Sequence, residues 1–371
     1  MTGIKIMLVV GARPQFIKSA PLIQELLAHK GLITLDIIHS GQHYDREMSR
    51  IFFRELKIPD PKLNLRVGSG SHAEQTAAIM KGLERAMKEA NPNIVLVPGD
   101  TNTTLAAALT ASKLGLTVGH VEAGLRSRDP TMPEEINRKL TDHCSAILFA
   151  PTNTALGNLR REGLGELAHM TGDTMVDSMR IALPFVKHGE RAVLDRFGLR
   201  RRNYLLVTLH RPSNVDDLGR VREIYNALTE VGRKLRVIFP LHPRTAKAFA
   251  SLGPMTHSKD PGLTLIGPRG YIENLSLLKN ASCLLTDSGG MQKEAFLFHV
   301  PCITLRSTTE WPETLVGKAN RLLVNPKELP ETVLDVAYDD RLRKDMAGLR
   351  NPFGNGHSSP KIMDIIRKTL Q

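Results

Sequence analysis

The stretch HVEAGLRSRDPTMPEEINR, residues 120 to 138, sets Glu122, Glu134 and Glu135 among arginines in a chain of formal net charge +12. Carboxylates gathered among cations suit proton transfer beside an anionic ligand. Glu122 interrupts an apolar strand pattern, and a buried carboxylate needs a partner or a function to offset its desolvation. Glu134 and Glu135 follow Met132-Pro133 at a helix start, where the dipole favours acids, so first-turn preference explains them equally well. Asp100 closes the apolar run NIVLVPGD and reads either as a site acid or as the N-cap of a helix beginning at Thr101 or Asn102. His210 in VTLHRP and His242 in FPLHPR each end a strand-like run. A strand-end histidine is more often a structural hydrogen-bonding group than a catalyst, and the repetition at two equivalent ends strengthens the catalytic reading modestly.

Two further stretches suit phosphate. In GARPQFIK, residues 11 to 18, a glycine turn brings Arg13 and Lys18 to a helix start, where free N–H groups attract anions. The spacing is neither GxxxxGK[ST] nor GxGxxG, and an exposed basic turn explains it as well. In DSGGMQKEA, residues 287 to 295, Ser288, Gly289 and Gly290 allow close backbone approach at a helix start, and Glu294 is placed to accept from ribose hydroxyls. The alternative is a tight strand-to-helix turn whose Asp287 or Ser288 caps the helix.

These residues are positioned by short apolar runs that alternate with helical patterns from end to end, the signature of parallel βαβ units. Runs at 4–12, 32–40, 93–100, 117–124, 145–152 and 168–173 read as strands, then a charged helical stretch occupies 176–203, and runs at 204–210, 235–242, 263–268, 282–289, 301–307 and 321–325 form a second set. The expected fold is α/β, two Rossmann-like doubly wound domains: 1–175 with the carboxylates, 176–358 with the glycine turn, and a terminal helix over 359–371. Ligands of such sheets bind beyond the carboxyl ends of the strands, and the residues singled out above fall just after strands.

Composition narrows the partners. The chain has 371 residues, 41% hydrophobic and 24% charged, ordinary for a globular protein of two domains. No apolar run reaches the length of a membrane span, and the N-terminal stretch MTGIKIMLVVGARP carries no cleavage-site pattern, so a cytoplasmic protein without a membrane partner is expected. Three cysteines without CxxC or ligand-spaced histidines do not suggest a disulfide framework or a zinc site. The basic excess concentrates only at Arg200-Arg201-Arg202, and aromatics are 5% of the chain. That pattern favours a small phosphorylated ligand over nucleic acid.

Taken in order, GARPQFIK, PGDTNTT, HVEAGLRS, MPEEINR, FAPT, TGDTMVD, TLHRP, LHPRT, LTDSGGMQKEA and TEWPET resemble the motifs of the non-hydrolysing UDP-N-acetylglucosamine 2-epimerase family, over residues 4 to 317. The resemblance implies a glycosyltransferase-B-like fold with the active site in the interdomain cleft, a terminal helix crossing back to the first domain, and a homodimer. It implies inversion at C2 of a UDP-sugar without metal or NAD, by loss of UDP to a 2-acetamidoglucal and its return. By motif, Asp100, Glu122 and Glu134 take the catalytic carboxylate positions and His210 the catalytic histidine. Arg13, Lys18, Arg269, Ser288, Gly289, Gly290 and Glu294 take the nucleotide positions, while Glu135 falls outside as a structural first-turn acid.

There are departures from the commoner pattern: Gln15 for Glu, Asn274 near a usual aromatic, Trp311 for Arg in TEWPET, and a different segment GQHYDREMSRIFF. Such variants also occur in relatives acting on UDP-2,3-diacetamido-glucuronate, an alternative substrate for which Arg126, Arg128, Arg138 and Arg244 could supply a cation. A glycosyltransferase of the same fold, or a nucleotide- or RNA-binding module, are the readings from other classes.

Overall fold

The computed structural model describes residues 3–41, 58–253 and 262–370, apart from the side chain of Arg13. Nearly all of the divergent segment GQHYDREMSRIFF lies outside the described residues. The chain forms two compact units, one of residues 1–182 and 351–371, the other of residues 183–350.

In the first unit the order is β1 (Ile4–Val10), α1 (Arg13–Ala28), β2 (Ile33–His39), β3 (Leu63–Asn64), α2 (His72–Ala90), β4 (Ile94–Pro98), α3 (Asn102–Lys113), β5 (Thr117–Val121), α4 (Pro133–Cys144), β6 (Ile147–Ala150), α5 (Asn153–Arg161), β7 (Ala168–Met170) and α6 (Thr174–Arg196), which runs into the second unit. The sheet order is β3-β2-β1-β4-β5-β6-β7, parallel throughout. The strands are near-continuous apolar runs because helices cover both faces of such a sheet. Met7, Val9, Val95 and Val97 pack against Ile79, Leu83 and Met87 of α2 and against Ala106, Ala107 and Ala111 of α3, whose small side chains let the helix lie close. The two-residue β3 is too short to show a periodicity of its own.

The second unit continues with β8 (Tyr204–Thr208), α7 (Pro212–Val215), α8 (Leu218–Gly232), β9 (Arg236–Pro240), α9 (Pro243–Ala250), β10 (Leu263–Ile266), α10 (Tyr271–Asn280), β11 (Cys283–Thr286), α11 (Gly289–Leu297), β12 (Cys302–Thr304), β13 (Asn320–Leu322), α12 (Leu329–Ala337) and α13 (Asp340–Ala347). Its order, β10-β9-β8-β11-β12-β13, is again all parallel. Tyr204, Leu206, Ile238 and Leu284 form its core with Leu277, Leu278 and Ala295. Cys283 and Cys302 are buried free thiols, pushed up to about 12 chiefly by desolvation.

The last helix, α14 (Ser358–Leu370), belongs to the first unit, where it packs on α1. Its opening N–H groups, on Ser358 and Ser359, donate to the two oxygens of Asp177 at 3.0 and 2.8 Å, satisfying donors that a helix start otherwise leaves unpaired. Among the described residues no helix is long and apolar enough to cross a membrane.

Both sheets reverse strand order at one place, between β1 and β4 in the first unit and between β8 and β11 in the second. At such a switch point the connections leave in opposite directions and open a crevice at the carboxyl ends of the two strands. The loops after β1, β4, β8 and β11 carry GARPQFIK, PGD, LHRP and DSGG.

Candidate active site

In the first unit Gln15 builds the switch point. Its Oε1 accepts from the N–H of Gly11 at 2.8 Å and of Ala12 at 3.0 Å, and its Nε2 donates to the Pro98 carbonyl at 2.8 Å and to Thr104 Oγ1 at 3.0 Å. The turn after β1 is thereby tied to the turn after β4. An ionised glutamate could not make the two donations, which accounts for glutamine at this position: Gln15 is 2% exposed and its amide is engaged within the unit. Gly11 is required because a Cβ there would stand 2.2 Å from both Ser40 Oγ and Thr103 Oγ1.

One turn along α1, Lys18 Nζ meets Glu122 Oε2 at 2.5 Å. Burial works against the charge on Lys18, but Glu122 first, then Asp100 and Asp173, outweigh it and hold the ammonium well above the ordinary lysine range. Glu122 follows β5 directly and sits at φ 75°, in the left-handed region. That conformation costs a non-glycine residue about 1–3 kcal/mol and persists only where its surroundings enforce it. Here the N–H groups of Glu122 and Ala123 both donate to the Phe149 carbonyl, at 3.2 and 3.1 Å, so the chain turns sharply off the strand.

Asp100 does not cap α3; Thr101 does, its hydroxyl accepting from the N–H of Thr104. Asp100 Oδ2 instead accepts from the buried Arg138 at 2.7 Å, and its carbonyl accepts from Asn137 Nδ2 at 3.0 Å. Arg138 also donates to Glu135 at 3.2 Å. Glu135 accepts in turn from Ser127 N–H and hydroxyl, at 2.8 and 3.0 Å, and from Arg128 N–H at 3.2 Å. Despite the opposing effect of burial, these donors and Arg138 keep the Glu135 carboxyl below its usual range. Glu135 braces the loop from 127 to 135, while Glu134, half-buried, stands beside it in the first turn of α4.

In the second unit the organising residue is one whose place in the sequence suggests only a helix cap. Asp287, fully buried at the end of β11, accepts from the N–H of His210 at 3.0 Å, of Arg211 at 2.9 Å and from Asn214 Nδ2 at 3.1 Å. Its carboxylate also lies 3.2 Å from His210 Nδ1. Burial opposes ionisation, yet His210 and these donors lower its pKa. An Asp closing a strand immediately before a glycine turn, opposite a second strand closing in histidine, was the available signal. It became decisive only when β8 and β11 proved to be neighbours. The His242 ring lies 5.5 Å from that of His210, and Nδ1 of His242 accepts from Arg244 N–H at the start of α9.

Ser288 occupies the N-cap of α11, with no side-chain cap bond, and Gly289 and Gly290 form the first turn. A Cβ on Gly289 would fall 2.1 Å from Glu310 Oε1 and 3.2 Å from Trp311 Nε1. Trp311 is buried, with Lys293 Nζ of α11 3.6 Å from its ring centroid, a cation–π contact that keeps a positive charge at this helix. Glu294 is buried in the same helix. Arg269 is held by its own loop, Nε donating to the Gly267 carbonyl at 2.8 Å, with its guanidinium 5.8 Å from the Phe197 ring centroid. Asn274 lies in the first turn of the helix that follows, its N–H donating to the Gly270 carbonyl.

The first unit thus joins Lys18, Glu122 and Asp100 through charge, and the second joins His210 to the Ser288 turn through Asp287. One set offers proton-transfer groups; the other offers a histidine and a helix start suited to a diphosphate.

Two parallel Rossmann-like units with polar switch points place the chain in the glycosyltransferase-B-like class. Within that class it belongs to the UDP-N-acetylglucosamine 2-epimerase family, whose model matches residues 25–367. It is 46% identical over 98% of its length, and 99% of the relative's, to a UDP-N-acetylglucosamine 2-epimerase homolog of Methanococcus maripaludis. It is 40% identical to the UDP-2,3-diacetamido-2,3-dideoxy-D-glucuronate 2-epimerase of Pseudomonas aeruginosa, over 98% of this chain and 99% of that one. The crystal structure of the Methanocaldococcus jannaschii UDP-GlcNAc 2-epimerase in complex with UDP-GlcNAc and UDP superimposes with a TM-score of 0.90 at 43% identity, covering 98% of this chain and 100% of that chain.

Proposed function

We propose that this protein inverts C2 of UDP-N-acetylglucosamine to give UDP-N-acetylmannosamine, acting as a cytoplasmic homodimer. The observation that carries the reading is the content of the two switch points: paired carboxylates around Lys18 in one unit, and an Asp287-backed histidine beside a glycine helix start in the other. The proton on C2 is only weakly acidic, so its removal must be coupled to departure of an anionic leaving group from C1. Glu122, Asp100 and Glu134 are the candidates for moving protons on the two faces of C2. His210, with Ser288, Gly289, Gly290 and the cations Arg13 and Lys18, is proposed to stabilise the diphosphate as the C1–O bond breaks. Glu294 is assigned to the ribose and Arg269 to the base. Return of UDP to C1 of the 2-acetamidoglucal, with protonation of C2 on the opposite face, completes the inversion.

The Pseudomonas relative favours a second reading, action on the diacetamido-glucuronate. Of the four arginines considered for its extra carboxylate, Arg126 pairs with Asp142 and Glu162, Arg138 with Asp100 and Glu135, and Arg244 with Asp216. Among the described residues the side chain of Arg128 enters no ion pair, and it is exposed at φ 59°, which makes it the candidate. Proton NMR of the protein in D₂O with each sugar decides. Deuterium at C2 together with the manno product is expected with UDP-N-acetylglucosamine; exchange with the glucuronate alone moves the assignment there, and no exchange with either refutes both.

A further inference from the structure

His120 is the residue before Val121 at the end of β5, and it is fully buried. We infer that it is a positioning residue for the carboxylates, held as a doubly protonated imidazolium that clamps the turn carrying Asp100. Its effect on turnover rests on the proposed epimerase reading, whereas its protonation state does not.

Each ring nitrogen faces an oxygen. Nδ1 lies 2.7 Å from Asp142 Oδ1 and Nε2 lies 2.8 Å from the Gly99 carbonyl. A carbonyl oxygen can only accept, and so can an ionised carboxylate. Asp142 is itself fully buried, and also accepts from Gly124 N–H at 3.1 Å and pairs with Arg126 at 2.8 Å. The Arg126 guanidinium and the Gly124 N–H, both independent of the imidazole, favour its ionised form in this buried position. Both ring nitrogens of His120 must therefore carry hydrogen. A neutral tautomer would turn a lone pair on one oxygen in a water-free interior.

The charges around the ring support this state. Asp142 comes from α4, Arg126 from the loop after β5, and Glu162 beyond α5 pairs with Arg126 and lies 3.8 Å from His143. Asp100 follows Gly99 directly. His120 and Arg126 are thus set against Asp142 and Glu162, a cluster that closes near neutrality with two N–H donors on the imidazole.

The geometry matters because of what Gly99 joins. Its N–H donates to the Val121 carbonyl at 2.9 Å and its carbonyl accepts from His120, so both polar groups of this residue are fastened to β5. The next residue is Asp100, and two residues beyond His120 is Glu122. His120, together with the Gly99–Val121 backbone bond, therefore ties two strand ends that carry candidate acids. An error of about an ångström in such spacing is enough to slow a reaction a hundredfold.

The test has two arms. In protein labelled with ¹⁵N-histidine, long-range ¹H–¹⁵N correlation at about pH 8, where an unperturbed imidazole is neutral, should show a doubly protonated ring that is missing from the H120N spectrum. A neutral tautomer for His120 would overturn the inference. In the second arm H120N should lower kcat by about tenfold to a hundredfold with KM within about twofold and UDP affinity retained. Unchanged kcat, or a rise in KM alone, would refute the positioning role. Should H120N fail to fold, D142N serves the same purpose: it removes the charge that demands the second ring proton, and should abolish the doubly protonated signature and lower kcat in parallel. Wild-type protein inactive on both sugars would remove the proposed function, and the ring spectrum would still decide the protonation of His120.

Discussion

At the scale of single residues, Glu122 concentrates the unusual physics of the first unit. It is a non-glycine residue at φ 75°, it is 6% exposed, and it is paired at 2.5 Å with a lysine whose ammonium is held charged. Strain and burial together in one side chain point to a task beyond stability. Glu122→Gln keeps the shape while removing the negative charge, and His210→Ala removes the ring that faces Asp287. Each should fold, judged by circular dichroism, and lose turnover by at least about a hundredfold, the scale of a lost acid, base or electrostatic group. Near-normal rates in either would refute its role. Residue types alone could nominate Glu122, because a carboxylate in an apolar run demands explanation. They could not separate Glu134 from Glu135, since both satisfy the preference of a first helical turn; only the Ser127 and Arg138 bonds reveal Glu135 as a brace.

Elements decide which nominated residues meet. Alternating strand and helix patterns made both parallel sheets legible, because strands covered on both faces must be apolar along their length. Strand order was not legible in that pattern, and order is what makes β1 the neighbour of β4 and β8 the neighbour of β11. Nothing in the linear pattern marks Asp287 as a site organiser for this reason, its partners lying 73 to 77 residues away. The start of α11 offers a test at this scale. Gly289→Ala drives a methyl group to 2.1 Å from Glu310 Oε1, and Arg306, 2.8 Å from Glu310, limits how that side chain can yield. Calorimetric titration should show UDP affinity falling by about tenfold or more, with a stability loss of about 1–3 kcal/mol. Gly189→Ala in α6, where an added Cβ meets nothing within 4 Å, should leave UDP affinity unchanged and raise stability by about 0.5–1 kcal/mol, as replacing a helical glycine does. Equal behaviour of the two variants would dismiss the packing argument.

For the whole molecule the governing quantity is charge. A net +12 on a chain that handles a UDP-sugar should speed encounter with an anionic substrate by long-range attraction, which salt screens within about 10 Å at 0.1 M. Raising salt from about 0.02 to 0.3 M should therefore lower kcat/KM severalfold while leaving kcat nearly constant. A kcat/KM that does not respond would show that the excess charge lies where the substrate does not feel it. The two α/β units, the family and the list of candidate residues are legible along the chain, because apolar periodicity, turn glycines and motif order are local or linear properties. Tertiary structure alone decided the partnerships: Lys18 with Glu122, Arg138 with Asp100 and Glu135, Asp287 with His210, and His120 between Asp142 and the Gly99 carbonyl. A hydrogen bond or ion pair depends on distance in space, and which strand ends are neighbours is set by the packing of whole elements rather than by any spacing along the chain.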